Sequence, residues 1–261
     1  MSGEKRGGAS CPLVRKNSVL VQRRVVEGDA IRSIDIFQPP VSRGELIFKP
    51  CLIRNQEPNM PPRIIARQLS RPKGALGVLV AQLMNRGNAR MNAFAVRQLE
   101  LAASDHVLEI GFGGGLTLPS LLEGAAYVAG VDRSPDMVRR AKSRFSEAMA
   151  AGRANFCEGR VEALPFGPGL FAKVCTVNTV YFWSALGAGC AEIHRVLQPG
   201  GRVAIGFLPK ERMDQMGFPR DIFTSRSPDE VVAALVQEGF NSIRIERPEP
   251  ATPWNVVVAT R

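Results

Sequence analysis

The chain has 261 residues, of which 45% are hydrophobic and 22% charged, so wholesale disorder is excluded and one large α/β domain fits the length. The 34 Lys and Arg against 24 Asp and Glu give a net charge of +10, which favours an anionic partner. The basic residues are scattered, so nucleic acid is the less favoured partner. No apolar run approaches the roughly 18 residues that span a bilayer, so we expect no transmembrane segment. The five cysteines show no C-x-x-C spacing, so we expect no structural zinc and a cytoplasmic location.

Residues 1–62 form a different kind of sequence from the rest. They are irregular and rich in Arg, Ser, Gly and Pro, with apolar runs too brief for a core. We predict a largely disordered N-terminal arm that is dispensable for cofactor binding, followed by one domain over residues 63–261. A basic transit peptide is an alternative, and so is an over-extended reading frame with Met60 as the true start.

The remainder alternates helices and strands. We predict a helix over residues 74–101, interrupted near Gly87 by a kink or a lid at residues 84–88. Five strands with intervening helices follow, at residues 106–110, 126–131, 154–157, 172–177 and 202–207. Ser134 caps one helix with Pro135 at its first position, and a second helix stops before Pro199.

The C-terminal third adds one more helix and two strands. Ser227 and Glu230 form a capping box that opens the helix. Strands at residues 243–245 and 255–260 are joined by a connection too short for a crossover helix, so they must be antiparallel. The predicted fold is therefore an α/β doubly wound sheet of seven strands, mostly parallel, with one antiparallel strand at the C-terminus.

A glycine-rich turn after the first of these strands carries the functional signal. Gly111 and Gly113 allow close approach of a ligand, and the helix that follows offers free N–H groups. Asp132 comes 21 residues after Gly111 at the tip of the next strand, where a carboxylate can accept both hydroxyls of a ribose. Both features at this spacing within one β-α-β unit predict a nucleoside site.

The glycine spacing distinguishes between nucleoside cofactors. A dinucleotide fold requires G-x-G-x-x-G, but the last position holds Leu116. The observed G-x-G-x-G pattern after Glu109 resembles the class I S-adenosylmethionine-dependent methyltransferases, with a Rossmann-like fold. It is most similar to the small-molecule group that contains the ubiquinone and menaquinone biosynthesis enzymes. The motifs that carry the resemblance extend over residues 84–206.

The resemblance implies S-adenosyl-L-methionine as cofactor and assigns roles to particular residues. Glu109 would lie near the methionine amine and Asp132 at the ribose. The glycines around the methionine part would be Gly111, Gly113 and Gly115. Further cofactor contacts are expected at Arg133, Val161, Glu162 and Asn178, with Val161 against the adenine. Arg160 stands where the family often has Asp.

The acceptor is less well defined by the sequence. Tyr181 and Trp183 follow the fourth strand, where open α/β sheets place their ligands, so we expect them to bind the substrate. Packing under the next helix is the alternative. A methyltransferase for a small, apolar or lipid-like acceptor is the favoured function. A nucleic-acid or protein methyltransferase is the second, favoured by the charge, and a non-catalytic binding protein is the third.

Overall fold

The computed structural model describes residues 20–27, 30–37 and 63–261; for the first two segments and for residues 75–87 only the backbone is described. The strands are β1 (Leu20–Glu27), β2 (Ala30–Phe37), β3 (His106–Ile110), β4 (Tyr127–Asp132), β5 (Ala154–Glu158), β6 (Phe171–Val177), β7 (Leu197–Phe207), β8 (Asn241–Glu246) and β9 (Asn255–Thr260). The helices are α1 (Arg63–Ser70), α2 (Gly74–Leu99), α3 (Leu118–Gly124), α4 (Pro135–Arg144), α5 (Ser146–Ala150), α6 (Leu186–Val196), α7 (Lys210–Gln215) and α8 (Pro228–Gln237).

The strands form one sheet in the order β2-β1-β8-β9-β7-β6-β3-β4-β5. Within the seven strands from β8 to β5, β9 runs antiparallel to both of its neighbours and the remaining pairs are parallel. The predicted doubly wound sheet with one antiparallel C-terminal strand is confirmed. The strand order reverses between β3 and β6, and such a reversal opens a crevice at the carboxyl ends of the strands.

The N-terminal hairpin differs from the prediction. Strands β1 and β2 pair in full antiparallel register, from Leu20 opposite Phe37 to Glu27 opposite Ala30, within the segment that was predicted to be disordered. Strand β1 also pairs in parallel with β8, which extends the sheet. Two stretches rich in Val and Ile, separated only by Gly28 and Asp29, are a hairpin signal. The rest of residues 1–62 lies outside the described residues, and its disorder stays a prediction.

Helix α2 is continuous, so the interruption predicted near Gly87 is wrong. A glycine in a helix costs only about 1 kcal/mol, and the apolar face of the C-terminal half offsets that cost. Its buried members are Met91, Phe94, Ala95 and Leu99. They pack in the core on one face of the sheet with Val107 and Val128. None of the helices in the described part of the chain is both long enough and apolar enough to cross a membrane.

Candidate functional site

The glycine turn after β3 borders a cleft at the carboxyl ends of β3, β4 and β6. Gly111 and Gly113 have φ angles of 72° and 49°, a left-handed conformation that glycine adopts without a Cβ penalty. The Gly111 N–H donates to the Val131 carbonyl (2.7 Å), which joins the turn to β4. A Cβ on Gly111 would collide with the side chain of Thr179, whereas one on Gly113 would meet open space. The turn therefore packs tightly at its first glycine and leaves room for a ligand at its second.

The cleft has about 1100 Å³ of empty space, including the solvent at its mouth. The predicted site residues that line it are Glu109, Gly111, Gly113, Asp132, Arg133, Val161, Glu162, Asn178 and Trp183. Gly115 and Tyr181 are not among the lining residues. A Cβ on Gly115 would lie 3.1 Å from Leu118 Cδ1, so this glycine serves the packing of α3 against the turn.

Asp132 is buried at the end of β4, with 5% of its surface exposed. Its Oδ2 accepts a hydrogen bond from the Gly113 N–H and its Oδ1 accepts one from the Ser134 N–H, both at 2.8 Å. Burial raises the pKa of Asp132, although these two hydrogen bonds and the nearby Arg133 oppose the shift. From the sequence alone, a carboxylate at a strand tip is expected to face the surface, so that its loss would barely change the stability of the unliganded protein. The structure shows that it also fastens the glycine turn to the start of α4.

Glu109 lies on β3 and is also buried. One carboxylate oxygen accepts a hydrogen bond from the Thr117 hydroxyl, and the other, Oε2, has no partner among the described residues. Burial raises the pKa of Glu109 to about 7, the Thr117 hydrogen bond lowers it, and the charge of Asp132 raises it further. A buried carboxylate oxygen without a partner is costly. A cation in the cleft would supply the missing partner.

The loop after β5 forms the opposite wall. Val161 is buried there, with 5% of its surface exposed. Glu162 accepts hydrogen bonds from the Ser184 N–H (2.6 Å) and hydroxyl (2.8 Å) through Oε1. Burial alone would raise the pKa of Glu162, but these bonds and the charge of Arg160 outweigh it and lower the pKa. Glu162 is therefore ionised, and its carboxylate holds the turn after β6 in place through Ser184. Burial lowers the pKa of the half-buried Arg133, and repulsion from Arg160 lowers it further.

The turn after β6 holds Asn178 in an unusual conformation. Its φ is 58°, which places a non-glycine residue in the left-handed region, and its N–H donates to the Gly206 carbonyl (2.8 Å). Such strain persists where surrounding contacts enforce it, and it is common at functional sites. The Tyr181 hydroxyl lies 3.2 Å from Asn178 Oδ1. The conformation directs the chain around the cleft mouth between β6 and β7.

Tyr181 and Trp183 have little exposed surface, 3% and 4%, and of the two only Trp183 lines this cleft. The Tyr181 hydroxyl accepts from the Leu208 N–H (2.5 Å), and burial raises its pKa, so it stays protonated. The Trp183 indole donates to Thr179 Oγ1 (3.1 Å). Trp183 is therefore both packed in the core and part of the cleft lining, which the sequence leaves as alternatives. Tyr181 lies behind this lining, where its hydroxyl holds the chain at Leu208 through a hydrogen bond.

The cleft is covered by a segment that sequence reasoning did not identify. The cover segment, residues 63–74, contributes Gln68, Leu69, Ser70 and Pro72 to the lining, and α2 adds Asn88 and Asn92. The Ser134 hydroxyl donates to the Pro72 carbonyl (2.5 Å) and the Gly74 N–H donates to Asp136 Oδ2 (2.8 Å). Arg71 Nη2 also contacts Glu158 Oε1 at 3.2 Å. The segment is thus tied to the start of α4 and to the end of β5.

The arrangement fits a ligand with a ribose at one end and a cationic group at the other. Asp132 lies at the tip of β4 and Glu109 on the adjacent β3, with the glycine turn between them. Val161 supplies an apolar surface on the β5 side. This combination of a hydroxyl acceptor, an amine acceptor and an apolar face matches a nucleoside joined to an amino acid.

The chain is similar to known methyltransferases in sequence and in fold. Residues 107–201 match the family described as Methyltransferase domain. An uncharacterised methyltransferase of Synechocystis sp., sll0829, is 32% identical over 65% of this chain and 78% of its own length. The ubiquinone/menaquinone biosynthesis C-methyltransferase UbiE of Geotalea daltonii is 29% identical over 43% of this chain and 49% of its own. The structure of the YcgJ protein of Bacillus subtilis shares the fold, with a TM-score of 0.57 at 17% identity over 66% of this chain and 98% of its own.

Proposed function

Because the chain belongs to the class I S-adenosylmethionine-dependent methyltransferases, we propose that it transfers a methyl group from S-adenosylmethionine to a small acceptor with an apolar or lipid-like body. The observation that carries the proposal is a pair of buried carboxylates, Glu109 and Asp132, that line one cleft from neighbouring strands. Neither carboxylate has an ion-pair partner among the described residues. Both are available to a bound ligand.

The two carboxylates suit the two ends of this cofactor. Each oxygen of Asp132 uses one lone pair for a backbone N–H, which leaves a second lone pair for a ribose hydroxyl. The unpaired Oε2 of Glu109 would accept from the ammonium group of the methionine part. Val161 would pack on the adenine, while Arg133, Glu162 and Asn178 would complete the cofactor site.

Bound S-adenosylmethionine would supply an activated methyl group for transfer from its sulfur to a lone pair of the acceptor. The contribution of the protein is orientation of the two reactants and exclusion of water. The cover segment lines the cleft together with the glycine turn, and the hydrogen bond from Trp183 to Thr179 fixes the indole in the same lining. These rigid walls restrict the direction from which an acceptor can approach.

The acceptor class follows from the wall at the cleft mouth. Phe182 and Trp183 line it with aromatic surface, which suits an apolar acceptor body. The relative in Geotalea daltonii is named for ubiquinone and menaquinone biosynthesis, which supports a small-molecule, lipid-like acceptor over a macromolecule.

Binding of S-adenosylhomocysteine and of adenosine, measured by calorimetry, tests the cofactor assignment. Glu109→Gln should weaken S-adenosylhomocysteine by about 10- to 150-fold, the equivalent of a charged hydrogen bond of about 1.5–3 kcal/mol. The same variant should bind adenosine as the wild type does, because adenosine lacks the amino group. Arg140→Gln, an exposed change on α4, is the control. Wild-type protein that binds NADH and ignores S-adenosylhomocysteine would refute the proposal.

A further inference from the structure

A second cleft lies on the other side of the cover segment. It has about 1130 Å³ of empty space, including the solvent at its mouth. Five cationic side chains line it, and they are Arg67, Arg71, Lys73, Arg133 and Arg160. The only carboxylate among the described lining residues is that of Asp221. The walls therefore carry a large excess of positive charge.

This charge is only partly neutralised by the protein. Arg71 contacts Glu158 at 3.2 Å, and Arg160 lies 4.0 Å from Glu162. Asp221 itself pairs with Arg63. In the part of the chain that the structure describes, none of the remaining three cations of the cleft forms an ion pair; they are Arg67, Lys73 and Arg133.

Mutual repulsion among the cations is visible at Arg133. Burial lowers the pKa of Arg133, and the charges of Arg160 and Arg71 lower it further, while the carboxylates of Glu162 and Asp132 oppose the shift without cancelling it. Cations held together in this way raise the local positive potential, and a bound anion would relieve it. Three unpaired cations match a ligand group with more than one negative charge. A phosphate ester carries about −1.5 to −2 at neutral pH, and a diphosphate carries more, whereas a single carboxylate leaves most of the charge unmatched.

The second cleft adjoins the cofactor cleft. Arg133, Arg160, Phe182 and Trp183 line both. Tyr181 continues the aromatic wall into the second cleft. A molecule in the second cleft would thus lie against aromatic surface on one side and cations on the other, with an end directed toward the cofactor cleft. An amphiphilic molecule with a charged group and an apolar body satisfies both walls.

We propose that the second cleft binds the phosphate or diphosphate group of the methyl acceptor, while the apolar body of the acceptor packs on Phe182 and Trp183. This inference rests on the proposed function, because it names the class of acceptor for the same site. Guanidinium groups hold phosphate oxygens through paired hydrogen bonds, which suits the four arginines that line the cleft, Arg67, Arg71, Arg133 and Arg160.

The test is calorimetry on the full chain saturated with S-adenosylhomocysteine, with inorganic pyrophosphate and octyl phosphate as probes and inorganic phosphate as the reference that lacks an apolar body. The variant is Arg67→Gln/Lys73→Gln, since both side chains are exposed and line only the second cleft. The matched control is Arg140→Gln/Lys142→Gln on α4, which removes the same charge from an exposed surface outside both clefts.

We expect the wild type to bind both probes and to bind octyl phosphate more tightly than inorganic phosphate. The cleft variant should lose at least about tenfold in affinity for each probe, and the control should change by less than about threefold. Equal losses in the two variants would show a general charge effect and overturn the proposal. An oligonucleotide that binds and is not displaced by pyrophosphate would overturn it in favour of nucleic acid.

The two proposals fail in different ways. Failure of S-adenosylhomocysteine to bind the wild type would refute the methyltransferase site itself. Normal binding of S-adenosylhomocysteine, without any binding of pyrophosphate or octyl phosphate, would refute only the acceptor class.

Discussion

Stability of the unliganded protein should depend on pH through Glu109. The pKa of this carboxyl is raised by burial to about 7 from an ordinary value of 4.5. Between these two values the folded chain keeps a proton that the unfolded chain has released. The free energy of unfolding therefore falls as pH rises through this window and levels off above it. The loss is about 3 kcal/mol in total, most of which falls between about pH 5 and about pH 8.

Glu109→Gln isolates this effect, because glutamine keeps the shape and does not titrate. Its amide leaves a buried donor in place of the unpaired Oε2, but that cost does not change with pH. The difference in unfolding free energy between variant and wild type should thus shift by about 2–3 kcal/mol in favour of the variant from about pH 5 to about pH 8. Urea unfolding across this range is the measurement. A difference that stays constant within about 0.5 kcal/mol would refute the assignment of a buried, proton-binding Glu109.

Three further changes test the site and its surroundings. Gly111→Ala should abolish S-adenosylhomocysteine binding and lower the melting temperature, since the new Cβ collides with Thr179 in a left-handed turn. Gly152→Ala is the control for backbone strain, because Gly152 is also left-handed but its Cβ would meet open space. Equal effects of the two substitutions on the melting temperature would contradict the packing argument. Asp132→Ala should weaken the binding of S-adenosylhomocysteine by about 10- to 150-fold. It should also destabilise the unliganded protein by about 1–3 kcal/mol, because the Gly113 and Ser134 N–H groups lose their acceptor. An unchanged midpoint of urea unfolding would show that these hydrogen bonds contribute nothing to stability. Deletion of residues 1–60 should change cofactor affinity by less than about tenfold. The reason is that the hairpin pairs with β8, and β9 and β7 lie between β8 and the strands that form the cleft. A larger loss of affinity in calorimetry would show that the N-terminal segment reaches the site.

Much of the fold could be predicted because its signals are local. The capping box of α8 is present, with Ser227 and Glu230 exchanging hydrogen bonds, and Ser134 caps α4. The alternation of apolar strands and helices specifies a doubly wound sheet, and the family resemblance read from the glycine turn is confirmed. The continuity of α2 through Gly87 is not local in this way, because it depends on the apolar face that follows, which packs on the sheet and outweighs a single helix-breaking residue.

The rest of the site depends on contacts between distant parts of the chain. The cover segment contacts the cleft through pairs such as Arg71 with Glu158 and Gly74 with Asp136, separated by 87 and 62 residues. No local pattern encodes such pairs. The burial of Asp132 was missed for the same reason, since Gly113, 19 residues away, is one of its two partners. The excess charge of the second cleft likewise arises from four separate loops and helices, which the scattered basic residues of the sequence do not reveal.

The way the cover segment is fastened has a consequence for turnover. It is held at one end by the ion pair of Arg63 with Asp221 and at the other by Pro72 and Gly74 against the start of α4. If the spent cofactor leaves past this segment, at least one of these attachments must break, and Gln68 and Ser70, which line both clefts, then move away from both at once. By that route, departure of the demethylated cofactor rather than bond formation would set the steady-state rate of the proposed reaction. A rapid first turnover followed by slower ones is the kinetic signature of such slow cofactor release.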